Sequence, residues 1–470
     1  MRMSRHWTNA ASRISRTLIL LVLPALALAT VTFERRWHWY REDVGRSVAL
    51  AADGGYLVGG ETWVDSTQYG IVLARTDSLG DTTWVHHLLN VDHGSGYVCA
   101  LRGGGFAAVG TRNSFHMFAR GFGTLGDSAW SYDPSIRGRV NALIGTSDGG
   151  CLIAGRDSLL DMGLIKLDSA GVEEWNHGYD DPSVQGSTVY GVAETQDSGF
   201  ILCGDVTDYL VSYVRLVRTD FTGDTLWTRL ISGPVGPSLR AVCETPDHGF
   251  LAVGSEFDTL WSQNAVYLMR TDSNGSIIWT HSISDSGTGR QATALCATRD
   301  SGYVIAGTID WVDSARAWLV KLDANADTIW TSVLPGIGRE QAAAVWPTAD
   351  GGYVVVGTSD YAGGSVLLIK TDSLGFAPYG VAEGKSAFHQ RIALSVTPNP
   401  ASRVVRVDYS LPGNAVAMLR IYDVTGRQVY LSFGPRASSS RLDLRSMPAG
   451  VYLLRLDSYL GSATRKLVIE

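Results

Sequence analysis

An all-β fold is what this sequence predicts: a seven-bladed β-propeller followed by a small immunoglobulin-like β-sandwich. Three observations carry the prediction. A glycine-plus-apolar phrase recurs seven times at near-constant spacing, each copy carries a second regular phrase that in six copies ends on tryptophan, and the repeat is gone by Arg391. Self-similarity at a fixed period of this length is the mark of a propeller or solenoid array.

The first phrase reads "DGGYLVGG" from Asp53, "GGGFAAVG" from Gly103, "DGGCLIAG" from Asp148, "DSGFILCG" from Asp197, "DHGFLAVG" from Asp247, "DSGYVIAG" from Asp300 and "DGGYVVVG" from Asp350. Counted on Gly55, Gly105, Gly150, Gly199, Gly249, Gly302 and Gly352, the steps are 50, 45, 49, 50, 53 and 50 residues. Aspartate followed by glycine before an aromatic strand predicts a hairpin, because a tight reversal needs positive φ and glycine takes it without a Cβ clash. The second shared glycine, Gly60 through Gly357, falls within or at the end of a strand and predicts a close backbone approach.

The second phrase, as in "RTDSLGDTTW" or "RTDFTGDTLW", ends on Trp84, Trp130, Trp175, Trp227, Trp279 and Trp330; the seventh copy ends on Tyr379. With the apolar runs on either side, such as "VYLMRTD" and "WTHSIS", each repeat makes four strands. The runs are apolar on both faces, as sheets stacked between neighbouring sheets require. Seven such sheets stacked radially make a propeller. The tryptophan is expected to wedge between blades while the aspartate bonds the turn backbone. The seventh copy has no following strand, whereas "RRWHWYRE", Arg35 to Glu42, is an orphan that resembles the Trp strand. It is expected to complete the last sheet and leave no open edge.

The predicted organisation is a signal peptide over 1–29, the propeller over 31–383, a linker over 384–391 and the sandwich over 392–470. The N-terminus has a basic lead with Arg2, Arg5, Arg13 and Arg16, an apolar run from Leu18 to Ala29, and a small-residue cleavage site. That run, interrupted by Pro24, is shorter than the roughly 20 residues a membrane crossing needs, so the mature chain is expected not to be an integral membrane protein. A net charge of -7 with no basic cluster argues against a nucleic-acid partner. The five cysteines are odd in number and occupy strand positions, so they read as small buried hydrophobes rather than a disulfide framework.

In a four-stranded meander the two short, repeated turns share one face of the ring, so the variable loops share the other. Loops on a rigid scaffold commonly carry recognition. Five of them pair an acid with an aromatic: Trp63 and Asp65, Asp208 and Tyr209, Asp258 and Trp261, Trp311 and Asp313, Asp360 and Tyr361. Such pairs suit stacking on and hydrogen bonding to a glycan, or a protein partner; the structural alternative is that each aromatic tucks onto its own blade. Two motifs mimic enzyme signatures. "GTSDG" at Gly145 fits the nucleophile elbow and "GFGTLG" at Gly121 the dinucleotide fingerprint, but both fall in repeat turns that open no helix. His86, His87 and His93 form the one local histidine group, without metal-ligand spacing, and no cofactor or metal is implied.

The C-terminal text carries a specific resemblance. "PNPA" at Pro398, "LRIYDVTGRQV" at Leu419, "LDLRSMPAGVYLLRL" at Leu442 and "TRKLVIE" at Thr464 resemble, in order, the type A C-terminal sorting domain of the type IX (Por) secretion system. The resemblance implies passage through the periplasm, recognition by the type IX secretion machinery, and a secreted or cell-surface destination. The repeats more loosely resemble secreted delta-60 or kelch-like propellers. The function expected is a noncatalytic propeller that binds a glycan or surface protein. The alternatives are an extracellular glycoside-active or quinone-dependent enzyme and a purely structural surface protein.

Overall fold

The structure is a computed structural model that describes residues 31–65, 68–91, 96–112, 116–134, 137–157, 161–180, 186–207, 213–232, 237–259, 263–284, 288–311, 314–336, 338–360, 363–377, 393–410, 417–423, 428–434, 439–445, 447–458 and 461–470. The expected signal peptide, Tyr379 and the 384–391 linker lie outside them. All regular elements among the described residues are strands. Seven four-stranded antiparallel sheets span 42–91, 97–132, 138–179, 186–232, 238–283, 289–333 and 340–371, the last completed by Phe33–Trp37. In six of the sheets the strands follow in sequence order from the inner strand outward, and in the seventh three such strands are followed by Phe33–Trp37.

The ring closes. Phe33–Trp37 pairs antiparallel with Ser365–Thr371 as the outer strand of the seventh blade. The expectation placed this strand at Arg35–Glu42; it lies earlier, and Glu42 already begins the inner strand of blade one. Register gives the reason. Each repeat tryptophan stands opposite the residue that precedes the last one of the third strand, as Trp84 opposite Arg75 and Trp330 opposite Lys321. In the seventh blade that position, opposite Lys370, is held by Phe33 rather than by Trp37 or Trp39.

Six of the buried clusters each join consecutive blades, and a seventh joins Val354, Val356, Val366 and Leu368 of blade seven to Val48, Tyr56, Val58 and Val72 of blade one. Each outer-strand aromatic reaches over to the turn of the following blade. A Cβ built on the turn glycine would stand 2.4–2.9 Å from Phe33 at Gly80, Trp84 at Gly126, Trp130 at Gly171, Trp175 at Gly223, Trp227 at Gly275 and Trp330 at Gly375. At the remaining junction Trp279 and Ala326 pack against the same buried cluster, and Ala326 adopts φ +67° in glycine's place. The indoles are half-buried rather than enclosed, with one side on the neighbouring blade and the other toward solvent. The turn aspartate works as expected: Asp77 accepts from Leu79 N and Asp81 N at 2.9 Å, and Asp168, Asp220, Asp272, Asp323 and Asp372 repeat the pattern.

A second repeated device lies beneath the first hairpin. Its aspartate pairs with a cation on the third strand, buried in all but the half-buried Arg270: Asp53 with Arg75, Asp148 with Lys166, Asp197 with Arg218, Asp247 with Arg270, Asp300 with Lys321 and Asp350 with Lys370. Blade two lacks both partners together, with Gly103 for the acid and Gly121 for the cation, and Trp130 lies over Gly121. Leaving either charge alone there would strand it without its neutralising partner. All six carboxyls sit below their ordinary value. The Gly55 N–H leads for Asp53 and the Thr245 hydroxyl for Asp247. At Asp148, Asp197, Asp300 and Asp350 partial burial is the largest influence and opposes ionisation, but hydroxyl, amide and cation together outweigh it.

Cys99, Cys151 and Cys203 are buried, Cys243 and Cys296 half-buried, and all five are free thiols that burial pushes up, to about 12 for Cys151 and Cys296. The C-terminal sandwich packs a three-stranded sheet, Ala393–Thr397, Val404–Ser410 and Ser439–Asp443, on a four-stranded one, Gln428–Gly434, Ala417–Tyr422, Gly450–Ser458 and Gly461–Ile469. Its core includes Val405, Val407, Leu419, Ile421, Leu454 and Leu467.

Three outcomes follow from this architecture. Deleting Phe33–Trp37 opens the seventh sheet, and the exposed edge should lower both melting temperature and solubility; unchanged values for both would refute ring closure. Trp227 also donates from Nε1 to Ser273 O of the next blade at 3.1 Å. Trp227→Ala should cost about 2 kcal/mol, less than a fully enclosed aromatic loses, as measured by denaturant unfolding. Because the six carboxyls are held below their ordinary range, they stabilise the fold at neutral pH and lose that contribution as pH falls through their folded values. A melting temperature flat from pH 7 to about pH 5 and falling below about pH 4 is expected; a fall already complete at pH 5 would contradict this.

Candidate functional site

The loops after the second and the outer strands share one face of the ring, as a meander of this order requires. Four sequence-derived candidates have described side chains, Trp63, Asp65, Asp258 and Asp360, and they belong to three different blades. Trp63 ends Tyr56–Trp63, half-buried, edge-on to Tyr69 of its own blade at 5.5 Å. Asp65 accepts from Gln68 N at 2.9 Å, within its own loop. Asp258 ends Phe250–Asp258, half-buried and opposite Gln263. Asp360 is exposed and accepts from Arg339 N at 2.5 Å, linking its loop to the inner strand of the same blade. Trp311 ends Tyr303–Trp311, but its side chain lies outside the described residues, as do Asp208, Tyr209, Trp261, Asp313 and Tyr361.

A second set of residues escaped the sequence reading. The inner strand is irregular opposite the second shared glycine in six blades, with one unpaired residue each: Arg46, Asn141, Tyr190, Arg240, Thr293 and Ala343. The glycine exists for this bulge. A Cβ on Gly155, Gly204, Gly254, Gly307 or Gly357 would lie 1.9 Å from the carbonyl oxygen just before the bulge. A bulge re-aims side chains. These residues sit on the strands nearest the ring axis, and all six are partly accessible. The legible signal was spacing: each lies nine residues before its blade's hairpin glycine, as Arg46 before Gly55 and Arg240 before Gly249.

Three of these side chains, Arg46, Tyr190 and Arg240, gather around Tyr97, which opens the inner strand of blade two, Tyr97–Ala100. Arg240 lays its guanidinium 3.9 Å from the ring centroid of Tyr190 and approaches Asp205 Oδ2 at 3.4 Å. Asp205 also accepts from Leu239 N at 3.0 Å; burial nonetheless raises its carboxyl, against the pull of Arg240. Arg46 donates to Glu61 at 2.5 Å, and Glu61 is buried. Tyr97 feels Arg46, Glu61, Tyr190 and Arg240 together, with burial the main cause of its raised phenol. The arrangement offers two guanidinium forks, each already balanced by a carboxylate of its own or the preceding blade, and two phenol rings. Balanced charge, several donors and flat apolar faces suit a neutral polar ligand better than a polyanion.

The enzyme-like motifs dissolve into the repeat. Gly145–Gly149 joins the first two strands of blade three, and Gly121–Gly126 joins the last two of blade two. Among the described residues no group of three or more histidine, cysteine, aspartate or glutamate side chains is placed to hold a metal ion. His93 lies outside the described residues. No described helix is long and apolar enough to cross a membrane.

No curated protein matches the chain significantly. Among solved structures, Sqt1 of Chaetomium thermophilum, in a complex with the N-terminus of ribosomal protein L10, is 9% identical, with 79% of this chain and 95% of that one covered and a TM-score of 0.46. The WD40 domain of Neurospora crassa Pan2 is 10% identical over 71% of this chain and 91% of its own, with a TM-score of 0.42. A protein of unknown function from Bacteroides caccae is 13% identical over 62% and 93%, with a TM-score of 0.38. Residues 395–470 match the secretion system C-terminal sorting domain family. The seven-strand sandwich that bears "PNPA", "LRIYDVTGRQV" and "TRKLVIE" is therefore a C-terminal sorting domain of the type IX secretion system, carried behind a seven-bladed propeller.

Proposed function

We propose that this chain is a secreted or cell-surface, noncatalytic β-propeller that binds a glycan or a protein segment at the loop-face mouth of its ring. The convergence of Arg46, Tyr97, Tyr190 and Arg240 carries the reading. A glycan presents hydroxyls to guanidinium and phenol groups and an apolar ring face to tyrosine, and needs no net charge from the site. The rim acids Asp65, Asp258 and Asp360 lie on the same face, where they extend the surface available to a larger partner. Delivery outside the cell follows from the sorting domain.

A glycan array and a surface-protein pulldown with the mature chain test the proposal. Binding that Arg240→Ala or Tyr190→Ala weakens at least about tenfold, with melting temperature preserved, is the expected result. Binding unaffected by either change but abolished by substitutions at Asp65 or Asp258 would move the site to the rim. Turnover of a glycoside by the purified chain would overturn the noncatalytic assignment.

A further inference from the structure

The turn between the third and outer strands ends on Asp81, Asp127, Val172, Asp224, Ser276 and Asp327 in the first six blades, and on Phe376 in the seventh. In the first six the chain runs on into the outer strand. In the seventh that strand is supplied by Phe33–Trp37, so the chain leaves the ring at Phe376.

The Phe376 ring does not face solvent alone. It stands edge-on to Tyr422 of the sorting domain, centroids 5.2 Å apart at 76°. The guanidinium carbons of Arg420 and Arg455 lie 5.0 and 5.4 Å from its centroid. Arg420 and Arg455 are register partners on adjacent strands of the four-stranded sheet. Leu419 and Ile421 point into the sandwich core, so alternation puts Arg420 and Tyr422 on the outer face. The outer face of a two-layer sandwich is ordinarily wet. Here Arg420 is 3% exposed and Tyr422 5%.

We propose that Phe376 is a docking peg: the sorting domain seats its Arg420, Tyr422 and Arg455 face on the closing blade, so that propeller and sorting domain form one body rather than two beads on a linker. The proposal rests on residues 395–470 being the sorting domain only for its consequence. While docked, the export machinery meets the opposite side of the sandwich, where Arg406, Arg441, Asp443 and Arg445 are exposed.

Small-angle scattering and calorimetry on the full mature chain test the dock without any need for secretion, so its failure is separable from failure of the sorting role. Phe376→Asp installs the residue that four of the other turns carry at this position. It should enlarge the maximum dimension in scattering and lower the sandwich transition while leaving the propeller transition in place. Two cation–ring contacts and an edge-on ring pair, each worth a few-fold, predict an undocked population raised at least about tenfold. Arg455→Gln, which leaves the propeller untouched, should act in the same direction, and it decides the matter if Phe376→Asp does not fold. Scattering and both transitions unchanged in the folded variants, or a wild-type chain already extended in solution, would overturn the dock.

Discussion

The ring depends on one contact made at six of its seven junctions, an aromatic on the outer strand of one blade laid against the positive-φ glycine in the turn of the next, with Ala326 standing in glycine's place at the seventh. Each contact needs two things at once, a large flat side chain and a turn residue without a side chain in its way. Trp227 over Gly275 satisfies both, and its Nε1–H bond to Ser273 adds direction to the packing. At the seam Phe33 over Gly80 does the same with a segment from the other end of the chain. A linear array would leave one blade unpaired at each end; closure removes both exposed faces.

The seam has its own polar reinforcement. Glu340, fully buried at the start of the seventh inner strand, meets Arg36 of the closing strand at 3.4 Å and Arg316 of blade six at 3.2 Å, and accepts from Gly338 N at 2.7 Å. Asp43, also fully buried, accepts from Trp39 N at 2.6 Å and the Thr62 hydroxyl at 2.5 Å, holding the corner between the closing strand and blade one. Removing one partner from such a buried set leaves an uncompensated charge, so these groups bind the N-terminal strand to one register. The repeated Asp–cation pairs act locally within each blade; the seam acids act between segments far apart in sequence.

The two faces of the ring are built differently. The turn-bearing face repeats closely because the turns carry the packing, and Phe376, where the chain leaves the last turn, meets Tyr422 of the sorting domain. The loop face is free to vary because nothing in the blade contacts requires a given length there. The bulges link this freedom to the axis: the close-approach glycine is constant, while the bulged residue differs from blade to blade, arginine, asparagine, tyrosine, threonine or alanine. The scaffold is thus constant while the side chains at the bulges vary.

By itself the sequence determined the four-stranded repeat, the count of seven, the hairpin and aspartate-turn chemistry and the sorting domain, because each is written in residues close along the chain. Turn glycines, the period of 50 or so residues and "LRIYDVTGRQV" are local signals. Tertiary structure decided what depends on partners distant in sequence. Three aromatics near the N-terminus compete for the seventh wedge, and only pairing with Ser365–Thr371 selects Phe33 over Trp37 and Trp39. Acid–aromatic pairs that looked alike in the loops turn out to serve their own blades at Trp63, Asp65 and Asp360, because short loops satisfy nearby backbone first. Arg46, Tyr97, Tyr190 and Arg240 come from four different blades, up to 194 positions apart, and only the closed ring brings them to one axis.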